Sequence, residues 1–177
     1  LKMPIGIVAT GVGATSVREW LPRGTPIANP PTLTGHIVTV GPERWEAAGD
    51  LFASFTTRLR QIGPSGFRAV LWHQGESDAN QALADRTLSG ENYRRHLELL
   101  IRATQQEVGW DAPWFVAQAT YHSESDPGSP DIRQAQKALW TSGVAHEGPD
   151  TDSLRAGYRS GVHFNGEGLR THGRMWA

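Results

Sequence analysis

Phe67-Arg68-Ala69-Val70-Leu71-Trp72-His73 is apolar almost throughout and is followed at once by Gln74-Gly75-Glu76-Ser77-Asp78. A strand with one wet face alternates apolar and polar residues, whereas a strand covered on both faces reads as a nearly continuous apolar run. Two other runs share the pattern, Pro4–Thr10 (PIGIVAT) and Pro113–Thr120 (PWFVAQAT), and Gly143–His146 is a shorter fourth candidate. Helical stripes separate them. Trp45, Ala48, Phe52, Phe55, Leu59 and Ile62 step by three and four and stop at Gly63-Pro64; Tyr93, Leu97, Leu100, Ile101, Thr104 and Val108 stop at Gly109. A third helix opens at Ser129-Pro130, an N-cap followed by proline at the first helical position, and runs to about Ser142. A fourth starts near Asn165 and carries Leu169, His172 and Trp176. Strand and helix alternate, which predicts an α/β fold: three α/β/α layers around a mostly parallel sheet. Pro22–Pro42 reads as one long loop.

The chain has 177 residues, a length that suits one domain over 1–177. Its first residues, Leu1-Lys2-Met3, run straight into a strand, and Trp176-Ala177 falls inside a predicted helix. The expectation is therefore the larger, C-terminal part of a domain whose first strand lies upstream. Seventeen basic against eighteen acidic residues give a formal charge of −1. That excludes a nucleic-acid partner held by bulk charge. No apolar run reaches the ~18 residues of a membrane span. The absence of cysteine excludes disulfides, thiolate metal sites and thiol nucleophiles. Twenty Gly, eleven Pro and seven Trp suggest ordered loops around an aromatic-lined cleft.

The residues just beyond the strand ends are polar and rich in small side chains: Gly11-Val12-Gly13-Ala14-Thr15-Ser16, then Gln74 to Asp78, then Tyr121-His122-Ser123-Glu124, and late in the chain Gly161-Val162-His163-Phe164. Ligands of open parallel sheets bind outside the carboxyl ends of the strands, so these segments predict one composite cleft. GVGATS lacks the third glycine of a dinucleotide fingerprint and the acidic residue about twenty positions on. Its glycines suit a backbone N–H presented to a ligand. His73, Glu76 and Asp78 lack the second histidine of a metal motif. Glu76 with Asp78 or Asp131 could form a glycosidase carboxylate pair. The Gln74 amide brings two donors to the sheet edge, suited to a developing oxyanion or simply to tying loops together.

Val70-Leu71-Trp72-His73-Gln74-Gly75-Glu76-Ser77-Asp78 resembles the third conserved block of the SGNH hydrolases, in their carbohydrate-esterase and sialate O-acetylesterase branch. The stretch from Pro4-Ile5-Gly6-Ile7 to Gly13-Ala14-Thr15-Ser16-Val17-Arg18-Glu19-Trp20 is similar to the second block, with Ala14 in place of a glycine. Ile132-Arg133-Gln134-Ala135-Gln136 resembles the helix start that packs under the site, and Gly161-Val162-His163-Phe164 with Gly168 resembles the last block. The resemblance implies a three-layer α/β/α fold and hydrolysis of O-acetyl esters on carbohydrates, with no metal and no cofactor. It implies oxyanion donors at Gly13 (backbone N–H) and Gln74 (side chain), and a general base at His163. The chemistry is acyl transfer: a hydroxyl attacks, His163 takes its proton and returns it to the leaving alcohol, and fixed donors hold the oxyanion.

The chain departs from the family pattern twice. The nucleophilic serine of the family sits in a Gly-Gln/Asp-Ser-Asn block, and no such string occurs here. The family's histidine-orienting Asp corresponds to Ser160. The polypeptide as it stands is therefore expected to be inactive. Ser16 and Ser77 are substitute nucleophiles by position, and Asp150 and Asp152 substitute acids. A second reading is a non-catalytic relative that binds acetylated glycans, with Trp20 and other aromatics against sugar faces.

Overall fold

The computed structural model describes residues 5–30, 35–80, 84–126 and 128–177. The stretch predicted as one long loop, Pro22–Pro42, supplies β1 (Pro26–Ile27) and β2 (Ile37–Gly41), which flank β3 (Arg44–Ala47) in a small antiparallel sheet of order β1-β3-β2. Trp45, expected to begin a helical stripe, therefore lies in β3, paired with Ile27 and Thr39. The helix α1 (Asp50–Ile62) starts after Gly49 and buries Leu51, Phe55 and Leu59.

The central sheet is parallel, in the order β4-β5-β6, built from β4 (Val70–Trp72), β5 (Trp114–Gln118) and β6 (His146–Asp150). Between these strands run α2 (Gly90–Val108), capped by Ser89 and stopped by left-handed Gly109, and α3 (Pro130–Thr141), capped by Ser129. The hairpin β7 (Arg159–Ser160) and β8 (His163–Phe164) then leads into α4 (Gly166–Trp176), whose N-cap Asn165 accepts from Gly168 N–H. The fold is α/β; α3 starts at Ser129-Pro130, α4 at Asn165, and α1 and α2 stop at Gly63 and Gly109, as the sequence predicts. No helix among the described residues is long and apolar enough to cross a membrane.

Two strand expectations change. Residues 5–10 are irregular, with Ile5 79% and Ile7 81% exposed; Pro4 lies outside the described residues. A strand is held by a neighbour's N–H and C=O groups, and among the described residues β4 pairs with β5 alone. The segment is tethered instead by Arg58 Nη1 donating to Ala9 O at 2.8 Å. The fourth strand is His146–Asp150 rather than Gly143–His146, because Val144 and Ala145 finish α3 by donating their N–H groups to Leu139 O. Its polar sequence, HEGPD, reflects a position at the sheet edge.

Successive strand residues point to opposite faces. Trp72 faces α2, where its Nε1 donates to Tyr93 Oη, whereas His73 meets His172 of α4 with ring centroids 5.0 Å apart. Helices therefore lie on both sides of the sheet. Under α1 and α2, Trp20, Phe55, Trp72 and Trp114 form an aromatic cluster with centroids 5.8 to 6.3 Å apart, mostly edge to face. Each such pair contributes about 0.5–1.5 kcal/mol beyond area burial. Trp20 is thus a core residue, not a platform for sugar. Three of the seven tryptophans serve packing in this cluster.

Candidate active site

The loop from Gly11 to Ser16 ends in a 3-10 turn, Val17–Trp20. Ser16 caps it: its Oγ accepts from Arg18 N–H, and its own N–H donates to Glu19 Oε2 at 2.8 Å. This reciprocal box satisfies donors that a short turn leaves open. Thr15 Oγ1 donates to Val12 O at 2.8 Å and accepts from Trp20 Nε1, fixing the loop to the core. Gly13 is exposed, a Cβ built on it meets open space, and its N–H has no partner among the described residues. Ala14 sits at φ 58. A left-handed backbone costs an L-residue roughly 1–2 kcal/mol.

Asp78, at the end of the turn Glu76–Asp78, joins this loop to the end of β4. Its Oδ1 accepts from Ser16 Oγ (2.5 Å) and Arg18 Nη2 (3.3 Å), and its Oδ2 from Val17 N–H (2.8 Å) and Gln74 Nε2 (2.7 Å). Gln74 Nε2 also donates to Thr15 O at 3.1 Å. Arg18 is wholly buried; it donates to Ser16 Oγ and to the carbonyls of Asn29 and Arg86. Burial pushes the Glu19 carboxyl above its ordinary range. Ser16 is therefore a buried cap and not an available nucleophile. Ser77 is half-buried, with no hydrogen-bond partner among the described residues.

Gly75 shows why glycine follows Gln74. A Cβ there would lie 2.1 Å from Ala119 O and 2.7 Å from Gln136 Nε2. Gln136 of α3 bridges the two strand ends: its Oε1 accepts from Ala119 N–H, and its Nε2 reaches Gln74 O at 3.2 Å. Tyr93 Oη also donates to Gln74 O, at 2.7 Å. The backbone carbonyl of Gln74 is thus held by Tyr93 of α2 and Gln136 of α3.

Beyond β5 and β6, Asp152 is a second buried hub. Its Oδ1 accepts from the N–H groups of Thr120 (2.8 Å) and Tyr121 (3.0 Å), and its Oδ2 from Thr120 Oγ1 (2.7 Å) and Arg133 Nη1 (2.8 Å). Arg133 also pairs with both oxygens of Asp150, whose carboxyl it holds below the ordinary range. Neither acid is the partner of His163. Asp131, the other carboxylate of the glycosidase reading, accepts from Gly90 N–H at the start of α2, and Asp78 is committed as above.

His163 is exposed on β8 and stands opposite Ser160 across the hairpin. Among the described residues its ring has no hydrogen-bond or ion-pair partner. Arg159 braces the hairpin: Nε donates to Leu154 O (2.5 Å), Nη1 to Val162 O (2.7 Å) and Nη2 to Thr151 O (3.0 Å), while its guanidinium lies 4.1 Å from the rings of both Tyr121 and Phe164. Phe164 stacks on His172 at 4.8 Å and lies 6.1 Å from His73. His172 Nε2 accepts from Trp176 Nε1, so it is unprotonated, and burial, helped by nearby His73 and Arg159, pushes its pKa down to about 4.

The structure brings the Gly13 loop and Gln74 into hydrogen-bond contact through Thr15, and it sets the His163 hairpin beside His73, the residue before Gln74. It joins neither Gly13 nor Gln74 directly to His163. Sequence reasoning missed Arg159 and His172, which carry no motif signal. It quoted Arg18 and Asp78 inside matching strings without foreseeing that they meet. No group of three or more His, Asp or Glu able to hold a metal occurs among the described residues. The family model described as carbohydrate esterase, sialic acid-specific acetylesterase, matches residues 1–177. No curated protein and no solved structure matches the chain.

Proposed function

The chain belongs to the carbohydrate esterase family of sialic acid-specific acetylesterases, and from that membership we propose that its site hydrolyses O-acetyl esters of carbohydrates by a serine-esterase mechanism. In this reading the Gly13 N–H and Gln74 Nε2 stabilise the tetrahedral oxyanion, and His163 moves the proton from the attacking hydroxyl to the leaving alcohol. The observation that carries it is the junction of the Gly13 loop with Gln74, two donor-bearing segments 59 residues apart in sequence held by one 3.1 Å hydrogen bond. The Gln74 N–H now given to the neutral Thr15 carbonyl is the one available to an oxyanion, since a charged acceptor makes the stronger bond. The nucleophile is assigned to a Gly-Gln/Asp-Ser-Asn block, a string these 177 residues do not contain. The alternative, glycan binding without hydrolysis, loses its named platform with Trp20 in the core.

The test compares hydrolysis of an O-acetylated sialic acid by the 177-residue chain and by a version carrying a Gly-Asp-Ser-Asn strand ahead of Leu1. The chain alone is expected to turn over negligibly, at most about 10³–10⁴ over water from its oxyanion donors, and the extended version robustly. Robust turnover by the chain alone, abolished by Ser77→Ala, overturns the nucleophile assignment. Saturable binding with no turnover by either version favours the glycan-binding alternative.

A further inference from the structure

We propose that Asp78 is a positioning residue of the site, a buried carboxylate that aims the Gln74 amide and references it to the loop bearing Gly13. The inference rests on the reading of Gln74 as an oxyanion donor. Asp78 is 0% exposed and accepts from four groups: Ser16 Oγ, Val17 N–H, Arg18 Nη2 and Gln74 Nε2. Three of these belong to the segment just after Gly13, and the fourth is the donor itself. One anion therefore sets both halves of the oxyanion site in a common frame.

A free glutamine amide exchanges its oxygen and nitrogen by a half-turn, and only the nitrogen can serve an oxyanion. Here both neighbours, Thr15 O and Asp78 Oδ2, accept hydrogen bonds and donate none, so the half-turn would set oxygen against two acceptors. The two bonds differ in kind. That to Asp78 is 2.7 Å long and charge-assisted; that to Thr15 is 3.1 Å long and neutral. Capture of an oxyanion exchanges the weaker bond and keeps the stronger as a pivot. Gln74 Oε1 is buried with no partner among the described residues, so the amide's orientation is set from its nitrogen side.

A buried ion pair such as Arg18–Asp78, 3.3 Å apart with both side chains fully covered, is weak evidence for added stability, because desolvation offsets much of the attraction. Orientation of Gln74 gives it a role that an apolar pair of the same volume would lack.

The test has two arms. In the ¹³C,¹⁵N-labelled 177-residue protein, with the Gln74 side-chain resonances assigned through the residue's own carbon chain, one Nε2 proton is expected downfield and slow to exchange, with a through-hydrogen-bond coupling to Asp78 Cγ. Absence of that coupling in the wild type overturns the proposal and requires no variant to fold. In the version carrying the Gly-Asp-Ser-Asn strand, Asp78→Asn is expected to lower kcat about 10- to 100-fold with KM changed less than about threefold, the mark of an interaction used in the transition state. If Gln74→Ala lowers kcat and a folded Asp78→Asn does not, the positioning role is wrong and the oxyanion reading stands. If Gln74→Ala leaves kcat unchanged, the oxyanion reading itself falls.

Discussion

Removing the Asp152 carboxylate is expected to cost far more stability than removing its neighbour Asp150. Asp152→Ala deletes the acceptor of two backbone N–H groups, Thr120 and Tyr121, in a buried setting. Each orphaned donor costs about 1–3 kcal/mol. The variant also breaks one Arg133 bond, although Arg133 keeps Asp150 and Gln118 Oε1 and so retains a countercharge. Thr120 Oγ1, which accepts from Ser129 N–H at the cap of α3, loses its own acceptor. The sum is about 3–5 kcal/mol, the usual loss when one partner of a buried pair is removed. That is a large share of the roughly 5–15 kcal/mol of a typical domain. Asp150→Ala, at a half-exposed side chain whose partner keeps Asp152, should cost no more than about 1 kcal/mol. Equilibrium urea unfolding measures both, with m unchanged if the denatured state is unaffected. A loss below about 1 kcal/mol for Asp152→Ala, or a larger loss for Asp150→Ala, would refute the reasoning.

Two further outcomes are expected. His96 is buried, and desolvation, then Arg95 and Arg18, push its pKa down to about 4. The unfolded imidazole, near 6.5, takes up a proton that the folded one refuses, so stability falls as pH drops from about 6.5 towards 4 and is unaffected above 7, by at most about 3 kcal/mol; an NMR titration placing His96 near 6.5 would contradict this. Ser160→Asp, in the version carrying the nucleophile strand, puts a carboxylate opposite His163 across the hairpin, so it should increase kcat by about 10²; an unchanged initial rate would remove His163 from the role of base.

The α/β class and the four helices were legible in the sequence because their signals are local. Ser129-Pro130 and Gly109 mark helix ends by backbone chemistry that operates within a few residues, and the Tyr93–Thr104 stripe is buried as its spacing requires. Strand identity was less legible, since a strand depends on a neighbour that the sequence does not name. PIGIVAT has the composition of a buried strand, yet residues 5–10 find no ladder among the described residues, while HEGPD has little strand character and pairs with β5. The loop from Pro22 hid β1 and β2 for the same reason. Within the site, Gly13, Gln74 and His163 stood out through their motifs. The hubs that hold them did not: Asp78 meets Ser16 across 62 residues, and Arg159 acts mostly on backbone carbonyls and ring faces, which leave no pattern in sequence.

The most direct test of the esterase account is the effect of Gln74→Ala on hydrolysis of an O-acetylated sugar by the version carrying the nucleophile strand. A donor that acts on the oxyanion stabilises the transition state more than the bound ester. The account predicts a fall in kcat of about 10²–10³, roughly 3–4 kcal/mol, with KM little changed. A rise in KM with kcat intact would make Gln74 a substrate-binding residue and contradict the account.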